Sequence, residues 1–365
     1  MDKKIKVAMV SNFLGVMGIS SVIMNYSKSI DLQKYDITII AGRPIAQQYV
    51  EECKLLGIKV IELPSRPKEP LSHYFHLYQS LKSGGYDIVH VHGNSSIMSI
   101  ELTLSKLAGI KKRIAHSHNS TCPNIVIHNI LSPYFGKIYT KALSCGVLAG
   151  DWLFGKDNFE VLPNGFHTEK FKFSLDKRNS IRKKLQLEDK YVIGHIGRFN
   201  QQKNQTYLLQ IFEETAKINK DVCLLLVGTG PDFEKVKSLV ETHPYKNRII
   251  LYGESSEPNA LYSAMDLFVL PSLHEGLPVV SLEAQISGLP CLVSDTVTRE
   301  MDFGNISWAS IEADPQIWSD KILKMKNRVD IDRESYYEKN RKQILEYDIS
   351  NNVKQLEKIY TGLVG

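Results

Sequence analysis

Short, nearly continuous apolar runs recur through the first half of the chain, and polar residues or glycine follow them. Most runs are rich in β-branched residues, which is typical of strands buried on both faces of a parallel sheet. Stretches with helical periodicity separate them. The pattern predicts strands at 5–10, 37–41, 60–63, 88–91, 113–117 and 147–149, and helices at 20–30, 47–56, 74–82 and 97–108.

The same alternation returns in the second half. It predicts strands at 191–196, 222–227, 249–251, 267–270 and 290–293, and helices at 206–218, 232–239, 259–264 and 279–287. Regular alternation of this kind indicates two doubly wound α/β domains. A proline and an Asn-Gly turn near 163–173 are typical of a linker. We expect domains at 1–165 and 166–345, followed by a helical segment at 346–365.

The composition is that of a globular protein, since 43% of the 365 residues are hydrophobic and 23% are charged. No apolar run reaches the roughly 20 residues that a membrane-spanning helix needs, and the N-terminal segment is too soon polar for a signal peptide. The five cysteines form no CxxC pair, which favours a reducing compartment. We therefore expect a cytoplasmic protein.

The charge is unevenly distributed. Residues 1–170 carry 19 basic and 13 acidic side chains, whereas residues 171–365 carry 26 and 27. The basic excess therefore belongs to the first half of the chain. Such an excess is typical either of a slightly biased solvated surface or of a contact with a membrane or nucleic acid.

The segment 271–295 carries the strongest candidate chemistry, because it places a turn between a predicted strand and a predicted helix. Pro278 is expected in the first helical turn, where its missing N–H costs nothing. The N–H groups of Gly276, Leu277 and Val279 are then expected to point out of the helix N-terminus. That end of a helix is an anion site suited to a diphosphate.

Two acidic residues, Glu275 and Glu283, accompany this anion site eight positions apart. Because a carboxylate repels phosphate, we expect both to accept hydrogen bonds from sugar or ribose hydroxyls. Taken alone, such a pair is more typical of a surface turn and a solvated helix face.

Two His-x-His pairs, His90 with His92 and His116 with His118, offer a different chemistry. Residues i and i+2 share one face of a strand, so either pair has the spacing of metal ligands. A histidine-metal-dependent hydrolase is therefore one alternative, although the sequence contains no HExxH motif. Histidines buried in the core are the other interpretation.

Taken together, these segments resemble the retaining glycosyltransferases of family 4, in particular the bacterial exopolysaccharide and capsule branch, with the Glu-x7-Glu motif at Glu275 and Glu283. The resemblance implies a GT-B fold, in which two Rossmann-like domains face a cleft. It also implies that the C-terminal domain holds the nucleotide-sugar and that the final helix packs back on the N-terminal, acceptor-binding domain. Further matching segments are 89–97, 113–120, 161–171, 194–204, 224–232, 251–272 and 294–311.

The resemblance also implies roles in donor binding. Arg198 and Lys203 match the family's basic pair, and two cations offset the charge that develops on a departing nucleoside diphosphate. Such a pair replaces a divalent metal, so we expect no metal and no cofactor besides the UDP-linked sugar itself. Glu275 is expected to hold sugar hydroxyls and Glu283 the ribose.

Further matched positions border the nucleotide and the sugar. Gly228 follows a strand near the nucleotide, and Tyr252 either stacks on the base or packs in the core. Gly18 matches a glycine that lets the backbone approach the donor, because no Cβ intervenes. The family usually has a second glycine where this chain has Met17, which is a departure from its pattern.

On the acceptor side, His118 matches the histidine that ends a strand and faces the donor sugar and the acceptor. His116 either supports it or lies in the core. Asn94 and Asn119 lie at comparable strand ends, where we expect them to contact the acceptor.

Aromatic side chains and lysines in 71–82 and 124–142, together with 111–113, favour contact with an anionic membrane over core packing. We therefore expect a hexosyltransferase that moves a hexose or N-acetylhexosamine from a UDP-sugar to a lipid-linked saccharide in exopolysaccharide or capsule synthesis. Its expected location is the cytoplasm, with peripheral contact to the inner face of the membrane and no nucleic-acid partner. A sugar-nucleotide epimerase of the same fold is the second alternative, beside the hydrolase.

Overall fold

The computed structural model describes residues 3–15, 18–327 and 332–365. The chain divides into two compact units, one formed by Met1–Phe166 with Glu346–Gly365 and the other by His167–Leu345. Each unit consists of a parallel sheet with flanking helices. This is the doubly wound α/β architecture that the alternating pattern predicts.

Strands and helices alternate along the described residues. The strands are β1 (Ile5–Ser11), β2 (Tyr35–Gly42), β3 (Lys59–Leu63), β4 (Ile88–Gly93), β5 (Lys112–Ser117), β6 (Lys141–Ser144), β7 (Glu160–Val161), β8 (Tyr191–Ile196), β9 (Val222–Val227), β10 (Ile249–Gly253), β11 (Leu267–Leu270), β12 (Cys291–Ser294) and β13 (Ile306–Ala309).

The α-helices are α1 (Ile19–Ser29), α2 (Gln47–Leu56), α3 (Pro70–Gly84), α4 (Ser99–Leu107), α5 (Ile125–Phe135), α6 (Val147–Phe154), α7 (Leu175–Leu185), α8 (Gln205–Ile218), α9 (Phe233–Thr242), α10 (Pro258–Ala264), α11 (Val279–Ile286), α12 (Pro315–Lys326), α13 (Arg333–Lys339), α14 (Arg341–Ile344) and α15 (Ile349–Val364). Within residues 3–15, 18–327 and 332–365, no helix is both long enough and apolar enough to cross a membrane.

In each sheet the direction of winding reverses once. The first unit has the strand order β3-β2-β1-β4-β5-β6-β7, with the reversal between β1 and β4. The second has the order β10-β9-β8-β11-β12-β13, with the reversal between β8 and β11. Ligands of such sheets bind beyond the carboxyl ends of the strands at the reversal, so these two edges are the places to look for a site.

Helix α15 belongs to the first unit although it ends the chain. It packs against α1, and its Leu356 and Tyr360 side chains are fully buried in the core. The Glu357 carboxylate accepts a 2.9 Å hydrogen bond from the Asp31 N–H, and the Glu357 carbonyl accepts one of 3.0 Å from Tyr35. Burial of a leucine-sized side chain contributes about 2 kcal/mol, so apolar packing contributes most to holding this helix.

The apolar runs predict most strands well, and 191–196, 222–227 and 267–270 have the predicted bounds. The strand predicted at 147–149 is wrong, because these residues begin α6 and the strand before them is β6. A short apolar run shows no reliable period, so periodicity cannot distinguish a buried strand from the start of a buried helix. The pattern also misses α7, whose sequence is mostly polar.

Candidate active site

Two loops of the second unit lie side by side because the strands that precede them are neighbours. The loop 197–204 follows β8, and the loop 271–278 follows β11. The Leu273 N–H donates a 2.8 Å hydrogen bond to the Gln202 carbonyl and joins the two loops. Both candidate motifs of this unit therefore meet where the winding reverses, which is the usual ligand position in this architecture.

Lys203 and Glu275 form an ion pair across this junction, with 2.7 Å between Nζ and Oε1. Both side chains are largely buried, at 13% and 9% exposure. Gln202 donates from Nε2 to Glu275 Oε2 at 3.1 Å and to the His274 carbonyl at 2.9 Å. Buried opposite charges need such additional hydrogen bonds to offset the loss of water. The structure thus brings two predicted site residues together, and the partner of Glu275 is a cation rather than a hydroxyl.

Arg198 lies earlier in the loop that carries Lys203, and its side chain is exposed. Gln205 fixes the backbone there by donating from Nε2 to the Arg198 carbonyl at 3.1 Å. The same Nε2 lies 3.2 Å from His195 Nε2, while His195 Nδ1 donates to the Val269 carbonyl at 2.9 Å. Burial lowers the pKa of His195 to about 4, so the ring is neutral and accepts the bond from Gln205.

Gln202, Gln205 and His195 were missed by the sequence analysis, because isolated polar residues have no diagnostic spacing.

The glycines after β9 are required by close approach of two backbone segments. Gly228 has a φ of +126°, and a Cβ built there would lie 2.1 Å from the Gly197 carbonyl oxygen. A Cβ at Gly230 would lie 2.3 Å from the Phe199 carbonyl oxygen. The loop after β9 therefore lies directly against the loop that carries Arg198, and glycine is needed at both positions. The contact of Gly228 with a nucleotide stays a prediction.

The predicted anion site at 276–279 lies at the start of α11. Pro278 is the N-cap residue, with φ −74° and ψ 98°, and the helix begins at Val279. The prediction that Pro278 lies inside the first turn is therefore off by one position, because its backbone is extended and its carbonyl accepts the Ser281 N–H bond at 3.0 Å. The first N–H groups of a helix lack intrahelical acceptors, so this end retains its capacity to bind an anion.

Glu283 lies within α11 and accepts a 2.9 Å hydrogen bond from the Tyr262 hydroxyl. Burial raises the pKa of Glu283 to about 7, and the Tyr262 bond and the charge of Lys203 offset only part of that effect. Glu283 is therefore not a solvated helix residue. Tyr252, the residue expected beside the base, lies in β10 with the Lys184 ammonium 6.0 Å from its ring centroid.

Four histidines of the first unit stack on one face of its sheet, and we refer to them as the histidine cluster. His90 and His92 lie in β4, His116 lies in β5, and His118 follows β5 directly. The ring centroids are 4.1 Å apart in the first pair and 4.2 Å apart in the second. Because alternate residues of a strand share a face, the two His-x-His pairs meet across neighbouring strands.

The histidine cluster is buried and neutral. His90 Nε2 lies 3.1 Å from His116 Nδ1, and His92 Nδ1 lies 3.0 Å from His118 Nε2. Burial lowers the pKa of all four rings, and that of His118 falls to about 4. The rings therefore bind each other as neutral donors and acceptors at physiological pH.

The histidine cluster has some features of a metal centre. One ring nitrogen from each of His90, His92 and His116 lies within 4.8 Å of the others. Among the described residues, no cysteine or carboxylate joins this group. Nitrogens of His90 and His116 are already joined by a hydrogen bond, and the stacked rings of His90 and His92 are only 24° from parallel. The lone pairs of stacked rings lie in parallel planes and do not point at one ion. The geometry therefore suits hydrogen bonds between the rings better than coordination of zinc.

The remaining predicted positions of the first unit take part in local hydrogen bonds or in a helix cap, and their contacts with substrate stay predictions. Asn94 Nδ2 donates to the Thr121 carbonyl at 3.1 Å, and Asn119 Oδ1 accepts the Ser120 N–H at 2.8 Å. Gly18 caps α1 with a φ of +70°, and a Cβ there would meet no atom of the described residues within 4 Å. Its backbone angle rather than lack of space therefore favours glycine. Met17 lies outside the described residues.

Comparison with known proteins gives this arrangement a family context. Residues 176–306, which include the loops of the ion pair, match the family model "Glycosyl transferases group 1". The chain is 28% identical to the putative glycosyltransferase EpsF of Bacillus subtilis strain 168, across 94% of this chain and 93% of that protein. The crystal structure of HepE from Anabaena with UDP and glucose superposes with a TM-score of 0.82, at 15% identity, over 98% of this chain and 100% of HepE. The chain is a glycosyltransferase with a GT-B fold.

This glycosyltransferase is also 25% identical to the UDP-Gal:alpha-D-GlcNAc-diphosphoundecaprenol alpha-1,3-galactosyltransferase of Escherichia coli, over 80% of each chain. The predicted fold and family resemblance are thereby confirmed at the level of a GT-B glycosyltransferase. These comparisons favour the glycosyltransferase over the epimerase and the metal-dependent hydrolase.

Proposed function

We propose that this glycosyltransferase moves a hexose or N-acetylhexosamine from a UDP-sugar to a lipid-linked saccharide in bacterial exopolysaccharide or capsule synthesis, with retention of the anomeric configuration. The observation that carries the proposal is the ion pair between Lys203, in the loop after β8, and Glu275, in the loop that leads into α11. The relatives support the substrate classes. The E. coli relative is a UDP-Gal:alpha-D-GlcNAc-diphosphoundecaprenol galactosyltransferase, and HepE was crystallised with UDP and glucose.

The charges of the second unit suit the departure of a nucleoside diphosphate. As the bond between the anomeric carbon and the phosphate oxygen breaks, Arg198, Lys203 and the N–H groups at the start of α11 stabilise the growing negative charge. Before the donor binds, Glu275 neutralises Lys203. A bound diphosphate competes for that ammonium group and frees the Glu275 carboxylate to accept hydrogen bonds from sugar hydroxyls. This exchange accounts for a glutamate inside a diphosphate site.

Retention follows from attack on the face that the phosphate leaves. The acceptor oxygen forms the new bond to the anomeric carbon on that face, while its proton passes to a phosphate oxygen. An α-configured donor then gives an α-linkage. We assign no covalent nucleophile, because in this proposal the Glu275 carboxylate binds Gln202 and the sugar hydroxyls once the donor is in place. Since two cations supply the stabilising charge, we propose that the reaction needs neither a metal nor a cofactor.

The first unit offers an apolar surface for the lipid-linked acceptor. Helix α5 follows β5 and exposes Val126 and Ile130, at 67% and 70%. Helix α3 likewise exposes Leu71 and Phe75, at 87% and 57%. Both helices contact α4, so they are neighbours of one helix in this unit. Exposed apolar groups on neighbouring helices are typical of a membrane-facing surface.

Two of the basic residues predicted to face lipid instead bind other groups of the first unit. Lys141 Nζ lies 2.6 Å from Glu160 Oε2, and the Arg113 guanidinium donates to the carbonyls of Ile110, Lys111 and Ile138. Lys111 and Lys137 are exposed. We therefore propose a membrane contact that depends more on apolar area than on charge.

The proposal is tested by incubating the full chain with a panel of UDP-sugars and a polyprenyl-diphosphate-linked saccharide in the presence of EDTA. We expect transfer from one of these donors, with an α-linkage identified from the anomeric coupling constant by NMR. An inverted linkage would exclude the retaining mechanism. Release of an altered nucleotide-sugar without acceptor would indicate an epimerase, and activity that EDTA removes and zinc restores would indicate a metal enzyme.

A further inference from the structure

Both ring nitrogens of His118 are already bound to protein. His118 Nε2 lies 3.0 Å from His92 Nδ1, and His118 Nδ1 lies 3.0 Å from Asn164 Oδ1. His92, His118 and Asn164 are all buried, with exposures of 3%, 8% and 6%. A substrate hydroxyl can therefore bind a His118 nitrogen only by displacing one of these protein partners.

These partners determine where the protons lie. The Asn164 carbonyl oxygen only accepts, so His118 Nδ1 carries the hydrogen. A neutral imidazole has one N–H, so His118 Nε2 accepts and His92 Nδ1 donates to it. Since burial keeps both rings neutral, His92 and His118 are both Nδ1–H tautomers.

The bond to His118 leaves the other nitrogen of His92 unsatisfied. His92 Nε2 is buried and has no hydrogen-bond partner among the described residues. A buried unpaired acceptor is unfavourable, and such a group in a folded protein calls for a specific explanation. The unpaired Nε2 of His92 is the consequence of the Nδ1–H tautomer that holds His118.

The His90–His116 pair also has a buried nitrogen with no partner among the described residues, His116 Nε2, but no acceptor-only side chain fixes its tautomers. His90 Nδ1 lies 2.7 Å from the Tyr360 hydroxyl, and His90 Nε2 lies 3.1 Å from His116 Nδ1. A tyrosine hydroxyl both donates and accepts, so either tautomer of His90 is satisfied at that end. The two pairs therefore form a natural comparison within one cluster.

We propose that His92 is a positioning residue, which locks His118 between itself and Asn164 as a neutral Nδ1–H tautomer. His118 then presents neither a free lone pair nor an exchangeable proton to the substrate, and it contributes the shape of its ring rather than acid–base chemistry. The effect on turnover rests on the proposed function, because it requires His118 to face the sugar or the acceptor. The tautomer assignment itself rests only on the hydrogen bonds.

The tautomers are measured by long-range ¹H–¹⁵N NMR on the full chain labelled at its 11 histidines. His92→Asn and His118→Asn identify the two signals. We expect the Nδ1–H pattern for both rings, with no titration between pH 5.5 and 8. An Nε2–H pattern at His118, or titration in that range, would overturn the proposal. So would added zinc that shifts both signals and raises the melting temperature, because it would make the histidine cluster a metal site.

A matched pair of variants tests positioning against simple packing. His92→Phe keeps a ring but removes the donor, whereas His92→Asn restores an N–H near the position of Nδ1. We expect kcat/KM to fall about tenfold in His92→Phe, which corresponds to one lost hydrogen bond, and His92→Asn to recover most of that loss. His90→Phe is the control and should leave the His118 signal unchanged.

Equal losses in His92→Phe and His92→Asn would overturn positioning by hydrogen bonding. If the chain transferred no sugar at all while both rings gave the Nδ1–H pattern, the proposed function would fail but the tautomer assignment would stand. The NMR and kinetic measurements therefore distinguish the two proposals.

Discussion

The carboxyl edges of the two sheets are built from opposite kinds of side chain. In the second unit the edge contains the Lys203–Glu275 ion pair and the exposed Arg198. In the first unit it contains the histidine cluster, four buried rings that are neutral at physiological pH. The same doubly wound architecture thus supports a charged site in one unit and an uncharged site in the other.

The difference matches what each edge is proposed to do. A departing diphosphate gains charge during the reaction, so preorganised cations stabilise the transition state more than the ground state. Sugar and acceptor hydroxyls gain little charge, so a buried cation beside them would mainly incur a desolvation cost. The predictions below test this division by altering one edge at a time.

The largest effect is expected at the charged edge. Arg198→Ala should lower kcat by about 10²- to 10³-fold, because it removes a cation that acts on the leaving group. Folding should be unaffected, since the side chain is exposed. Steady-state kinetics and a thermal melt measure both quantities. Lys217→Ala is the control, because among the described residues Lys217 pairs with Glu213 and Glu214 of its own helix, α8. A kinetic loss of similar size in Lys217→Ala would refute a specific role for Arg198.

The next effect concerns the glycine that lets the loops of the charged edge approach each other. Gly228→Ala should lower the free energy of unfolding of the second unit by about 3 kcal/mol, because the new Cβ collides with the Gly197 carbonyl. Gly253→Ala should cost only about 1 kcal/mol of backbone strain, because Gly253 has a φ of +79° and its added Cβ would meet no atom of the described residues within 4 Å. Urea denaturation compares the two variants. Equal costs would show that backbone angle alone requires these glycines.

The third prediction concerns pH. Glu283 has a pKa of about 7 in the folded chain, above the usual range of an unfolded glutamate near 4.3. Between these values the folded state binds more protons, so Glu283 contributes stability that is complete at low pH and is lost as the pH rises through about 7. Glu283→Gln should remove this component from a plot of melting temperature against pH. An unchanged slope in the variant would contradict the assignment.

The smallest effect is expected at the apolar surface of the first unit. Val126→Ser with Ile130→Ser should weaken sedimentation with anionic vesicles about fivefold, because two apolar side chains no longer enter the lipid. Leu55→Ser in α2 is the control, because Leu55 is 87% exposed but belongs to a different helix. Transfer to a water-soluble acceptor should be unchanged. Equal weakening by the control would mean that α5 has no special contact with lipid.

The sequence predicts the charged edge better than the neutral one, and the reason is physical. Glycine and proline after a strand have strong local constraints, so the start of α11 is predicted to within one residue, whereas the roles of Gly228 and Glu275 were expected only from the resemblance to the family. The Lys203–Glu275 bond joins loops 72 positions apart and depends on which strands are neighbours. Likewise, the pairing of His92 with His118 needs the register of β4 against β5, which a local pattern does not contain.

The hydrogen-bond and ion-pair partners of individual side chains are the other feature that the sequence does not predict. Nothing in the residue order shows that Glu283 binds the Tyr262 hydroxyl, or that Asn164 binds His118. Similarly, Lys141 belongs to a basic stretch in the sequence but to an ion pair with Glu160 in the structure. Charge counts therefore describe a surface only after the paired residues are known.

The central claim is that the charged edge binds the donor diphosphate without a metal, while the histidine cluster does not contribute to that binding. Isothermal titration of the full chain with UDP in EDTA tests it most directly, using the wild type, Arg198→Ala and His92→Phe. We predict binding by the wild type, a loss of about 100-fold in Arg198→Ala and no change in His92→Phe. Wild-type binding that requires a divalent metal, or equal weakening in both variants, would contradict the account.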